Sequence, residues 1–91
     1  MPRFIVERSV PGAGLFTAEH VRSFAEKMCE ALPQAGPGVY WIQGYVAEDK
    51  IYGLYVAPDK ESLVRHAERA GVPADRISRV AWVIDPASAE G

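Results

Sequence analysis

The chain has 91 residues, enough for one domain (1–91) and too few for two. Apolar residues make up 48% and charged residues 24%, a globular mix that excludes a disordered segment or a fibre. Ten Lys+Arg against twelve Asp+Glu give a net charge of −2, which excludes a generally basic protein, and no nucleic acid is expected as a partner.

Arg3 to Val10 (RFIVERSV) is rich in β-branched and aromatic residues and predicts a strand. Pro11-Gly12-Ala13-Gly14 ends it. Thr17 is placed to cap a helix, with Phe16 and Val21 at the two positions of a hydrophobic staple. Val21, Phe24, Ala25, Met28 and Leu32 recur at helical spacing as one apolar stripe, and Pro33 stops the helix. Val39–Ala47 and Ile51–Ala57 are aromatic and β-branched. Only Glu48-Asp49-Lys50 lies between them, which predicts a hairpin with a three-residue connection. Asp59 can cap a second helix with the stripe Leu63, Val64, Ala67 and Ala70, and Glu61 stands four residues before Arg65 as an ion pair. Gly71 fits the left-handed residue past its end, with Pro73 just beyond. Arg76 to Asp85 predicts a fourth strand, and Pro86 to Gly91 a frayed tail.

The order β-α-β-β-α-β is the split βαβ arrangement of an α+β, ferredoxin-like domain: a four-stranded antiparallel sheet with two helices on one face. The other face must be wet or covered by something else. A three-residue connection sets Ala47 opposite Ile51, Tyr45 opposite Gly53 and Gln43 opposite Tyr55. It turns Tyr40, Ile42, Val46, Tyr52, Leu54 and Val56 toward the helices, with Phe4, Val6, Val80, Trp82 and Ile84. The open face then carries Ile5, Glu7, Trp41, Gln43, Tyr45, Tyr55 and Val83. A two-residue connection flips one strand and mixes the two sets. Such an aromatic face is too apolar to stay bare, so a homodimer through the open sheet face, a dimeric α/β barrel, is expected. Glu7 and Gln43 need partners or water when buried, which implies a polar cavity between the sheets.

The candidate ligand-binding residues are therefore Glu7, Trp41, Gln43, Tyr45 and Tyr55. Glu7 reads either as an acid/base or ligand-contacting carboxylate, or as a strand-end carboxylate paired with Arg8, Arg79 or the partner chain. The three aromatics read either as pocket walls or as interface filler. His20 and His66 fall on separate helices without a second ligand at metal-binding spacing, so no metal site is predicted. Cys29 reads as a small buried hydrophobe, and as the lone cysteine it excludes a disulfide framework. The PGAG and GPG segments read as turns, and Arg65, Arg69, Arg76 and Arg79 as a solvated face. No apolar run approaches the ~20 residues of a membrane span, and no secretory pattern opens the chain, so no membrane partner and a cytoplasmic location are expected.

PRFIVER, GPGVYWIQGYVAEDKIYGLYVAP, VRHAERAGVPADRI and the closing VIDP resemble a family of small bacterial domains of unknown function, family 4242, which includes a nickel-binding protein. The resemblance spans nearly the whole chain and implies a ferredoxin-like fold and a homodimer. Three functions follow as expectations. One is a homodimer that binds a small molecule or a metal between its sheets. Another is a cofactor-free enzyme using Glu7 or a tyrosine as acid or base. The last is a structural or regulatory interaction module. No particular cofactor is indicated.

Overall fold

Alternation builds the centre of the sheet. In β1 (Arg3–Ser9), Phe4, Val6 and Arg8 are buried while Ile5 and Glu7 are half-buried on the other side. In the computed structural model, which describes residues 1–90, four strands form one antiparallel sheet. Its order is β2 (Tyr40–Val46), β3 (Lys50–Val56), β1, β4 (Arg76–Arg79). With α1 (Ala18–Ala31) after β1 and α2 (Lys60–Ala70) after β3, this is the ferredoxin-like arrangement. The core fills the space between one sheet face and the helices: Phe4, Val6 and Tyr55 from the sheet, Met28 and Ala31 from α1, Leu63 and Ala70 from α2.

Each helix is fixed at its ends by local chemistry. The Thr17 hydroxyl accepts from the His20 N–H, and His20 Nδ1 accepts from the Thr17 N–H, so a histidine completes the capping box. Asp59 accepts from the Ser62 N–H at the start of α2. Gly71 ends α2 with φ 71°, a conformation that disfavours any side chain. The stripes differ in detail from the sequence reading. Val21 and Val64 are exposed, while Ala31, Ser62 and His66 are buried. Leu32 opens a 3-10 turn (Leu32–Ala35) rather than ending α1. Cys29 is exposed, because the inward face of α1 turns on Met28 instead. Arg65 leaves Glu61 and donates to the Ala35 carbonyl oxygen, tying α2 to the turn after α1.

The hairpin corrects the predicted register. Ala47 N–H donates to the Lys50 carbonyl oxygen, and Val46 pairs with Ile51, so the connection has two residues, not three. A bulge at Ile42 then shifts the pairing again, between Gln43↔Leu54 and Trp41↔Tyr55. Together they turn Tyr55 and Trp41 toward the helices and Tyr52, Leu54 and Val56 away from them. Gly44 and Gly53 face each other on the helix side, beneath those two rings. A Cβ on Gly53 would sit 2.7 Å from Tyr55 Cε1, so only glycine leaves the ring its place.

The fourth strand is shorter than predicted. Pairing to β1 covers Arg76–Arg79, with one more bond from the Val80 N–H to the Arg3 carbonyl oxygen. Arg79 pairs with Phe4 and shares its helix-side row, which leaves Val80 on the opposite parity from the one expected. Beyond it the chain leaves the sheet, and Trp82, Val83 and Ile84 are exposed rather than packed under the helices. Pro86–Glu90 forms an exposed 3-10 turn; Gly91 lies outside the described residues.

Candidate functional site

The open face is read off the pairing in rows that cross the sheet. Tyr45, Tyr52, Glu7 and Arg76 form one row, one residue from each strand. Gln43, Leu54, Ile5 and Ser78 form the next. Tyr40, Val56 and Arg3 form a third. Of the five predicted residues, the structure brings Glu7, Gln43 and Tyr45 to this face. It removes Trp41 and Tyr55, because the two-residue turn and the bulge reverse their parity.

The chemistry of the face is mixed. Tyr40 and Tyr45 are each 61% exposed beside the aliphatic side chains of Ile5, Leu54 and Val56. The Gln43 amide donates to the Tyr45 hydroxyl oxygen, which joins the two polar groups into one unit. Glu7 lies 3.7 Å from Lys50 Nζ, not beside Arg8 or Arg79. Arg8 is turned under the sheet, where it donates to Tyr55 and to the Pro73 carbonyl oxygen. Tyr52, which stands between Tyr45 and Glu7, is the residue that sequence reasoning missed. The signal was present: a two-residue reading of the same turn places it there.

A trough of about 450 Å³ runs over the second row. Ile5, Leu54, Gln43 and Tyr45 line it on the sheet side, and Trp82 and Val83 from the segment after β4 form its far wall. Its apolar floor and few polar groups match the usual make-up of a small-molecule site, and its volume lies within the ~300–1,000 Å³ such sites occupy. A separate cleft of about 310 Å³ lies between α1 and β2, where Trp41 lines it with Phe24.

The helix side holds the other notable polar groups. His66 is 0% exposed, with Nε2 2.9 Å from the Met28 carbonyl oxygen and, among the described residues, Nδ1 without a hydrogen-bond partner. Its ring meets Tyr55 edge-on at 5.3 Å. Burial pulls the His66 pKa below its ordinary value. The Met28 hydrogen bond opposes that shift and the Arg8 charge adds to it. Burial likewise raises the Tyr55 hydroxyl, against the pull of Arg8.

Comparison with known proteins places the chain. The family model described as "Nickel responsive protein SCO4226-like" matches residues 4–80. The crystal structure of SCO4226 from Streptomyces coelicolor A3(2) is similar, with a TM-score of 0.74 at 25% identity, covering 90% of this chain and 99% of that one. No curated protein sequence matches. Nickel favours imidazole among side-chain ligands. Here one imidazole is sealed in the core and the other caps α1. Among the described residues of one chain, no three His, Cys, Asp or Glu side chains gather to hold an ion. The donors of a single copy therefore do not fit a nickel site. Among the described residues, no helix is long and apolar enough to cross a membrane.

Proposed function

The chain belongs to the SCO4226-like family of nickel responsive proteins, and we propose that it is a homodimeric small-ligand-binding protein of the cytoplasm. Two copies meet through their open sheet faces, and the ligand occupies the trough enclosed between them. Gln43 and Tyr45 fix its polar group and Ile5 and Leu54 form the floor, with Glu7 and Tyr52 in the adjoining row. The observation that carries this reading is the uncovered second row and its trough, with Tyr45, which lines it, and Tyr40, in the adjoining row, each 61% exposed. Tyrosines of this kind bury area while keeping a polar tip, as dimer cores and ligand pockets require.

The test joins mass to binding. Light scattering should give twice the chain mass for the wild type, and Tyr45→Arg should fall to the single-chain mass by placing like charges across the two-fold. A panel of small molecules, with nickel among them, is then screened by melting temperature. Ligands that raise it in the wild type should lose the effect in Gln43→Ala. A wild-type monomer sinks this reading. A nickel-specific shift that survives Gln43→Ala moves the site away from the trough.

A further inference from the structure

The trough over the second row has one-sided polar chemistry. Arg3, Ser78, Gln43 and Tyr45 border it, and neither a carboxylate nor a lysine does. Arg79 borders it too, but shares the helix-side row with Phe4, so its side chain leaves from the other face of β4. The Arg3 guanidinium can only donate, and the Ser78 hydroxyl can donate as well. Across the sheet the Gln43 amide donates to the Tyr45 hydroxyl oxygen, which leaves the Tyr45 O–H free to donate outward. The floor between these two ends is aliphatic, Ile5 and Leu54, and Trp82 stands in the far wall.

The charge of the whole face points the same way. Glu7 is the one carboxylate in the three rows, and Lys50 Nζ lies 3.7 Å from it. Arg3 and Arg76 are exposed and have no carboxylate within ion-pair distance among the described residues. On an open face, water and salt screen such charges. Enclosed between two sheets they lose that screening and need a counter-ion. An isologous contact repeats the same patch on both sides, so it adds to the positive potential and does not cancel it. An anion is favoured in that space and a bare metal cation is not.

We infer that the trough takes a small carboxylic acid with an apolar body and a neutral polar group at its far end, of the hydroxyaryl carboxylate type. The inference rests on the ligand-binding reading above and names the class of its ligand. The carboxylate meets Arg3, whose planar fork matches two oxygens at once. The apolar body lies over Ile5 and Leu54, against Trp82. β1 and β2 are two strands apart, about 10 Å, so Gln43 and Tyr45 serve the other end of the ligand.

The experiment titrates the wild type, Arg3→Gln, Arg3→Lys and Gln43→Ala by calorimetry with 4-hydroxyphenylacetate and with its neutral amide. Inorganic phosphate and nickel(II) are titrated alongside. The wild type should bind the acid at least about tenfold more tightly than the amide, the worth of a hydrogen bond to a charged group. Arg3→Gln should bring that ratio close to one, and Arg3→Lys should restore part of it. Gln43→Ala should weaken acid and amide alike and keep the ratio. An acid-to-amide ratio near one in the wild type, or one that Arg3→Gln leaves unchanged, overturns the inference. Phosphate bound as tightly as the acid overturns the apolar body. Nickel or a neutral compound acting through Gln43 when the acid does not bind overturns the inference and leaves the small-ligand reading standing. No binding by any compound, here or in the wider panel, overturns both.

Discussion

The two faces of the sheet are built from similar residues and meet different fates. The helix side carries Phe4, Val6, Trp41 and Tyr55, with two glycines and an arginine among them. The open side carries Ile5, Leu54, Tyr40, Tyr45 and Tyr52, with a glutamate and a glutamine. On the helix side Phe4, Val6, Arg8 and Tyr55 are each at most 3% exposed, whereas Tyr40 and Tyr45 keep most of their surface in solvent. Composition does not separate these faces. What separates them is the presence of two helices on one side and, among the described residues, no helix on the other. Apolar content shows that a face wants cover, and only topology says whether the chain supplies it.

Leu63→Ala should break the covered side most severely. Leu63 is 1% exposed and belongs to the core cluster. Truncation of a buried leucine costs about 2–5 kcal/mol, the removed methyl groups plus the cavity they leave. Urea denaturation of the variant reads this as a lower midpoint with an unchanged slope. A loss under about 1 kcal/mol would mean that the helix-side core repacks freely.

A matched pair sharpens the contrast, because the same hydroxyl is removed from each face. Tyr55→Phe deprives the Arg8 guanidinium of an acceptor 2.9 Å away inside the core. Leaving a buried charged donor short of a partner costs about 1–3 kcal/mol. At dilutions where the chain has its single-chain mass, Tyr45→Phe removes only the exposed acceptor of the Gln43 amide, and its effect should stay within about 0.5 kcal/mol. Equal losses in the two variants would show that the hairpin parity drawn here is wrong.

That parity is also where the sequence stopped being legible. Element order, both N-caps, the glycine stop after α2 and the placement of Phe4, Val6, Ile5 and Glu7 follow from local chemistry and simple alternation. The hairpin does not. A criterion that segregates apolar from amphipathic side chains favours a three-residue connection, since it gathers Ile42, Val46, Leu54 and Val56 onto one face. The molecule instead uses a two-residue turn and a bulge, with two glycines clearing space for Trp41 and Tyr55 on the helix side. Glycine reads as neutral in a pattern, so its role as the floor beneath a ring was invisible. Opposite charge at adjacent positions suggested Arg8 as a surface partner of Glu7. Strand alternation places it opposite Ile51 beneath the sheet, where its long side chain reaches the Pro73 carbonyl oxygen.

The smallest expected effect concerns pH and belongs to the covered side alone. His66 is packed between α1 and the sheet, faced by the Met28 carbonyl oxygen, the Tyr55 ring and the Arg8 charge. Its Nε2–H donates to Met28, so the neutral ring fits, and a proton on Nδ1 would add an unpaired donor in the core. Burial lowers the folded pKa below the unfolded value near 6.5. In the window between the two values the unfolded chain binds more protons than the folded one, so stability rises with pH there. The contribution is complete above the unfolded pKa, falls away as pH drops toward the folded pKa, and levels off below it. His66→Gln can still offer an N–H to the Met28 carbonyl but takes up no proton. Urea midpoints of the wild type should therefore fall relative to those of His66→Gln as pH drops below about 6.5. His20 and the carboxylates are common to both proteins and cancel in the difference. Parallel curves across that range would mean that His66 titrates alike in both states, which a ring sealed from water should not do.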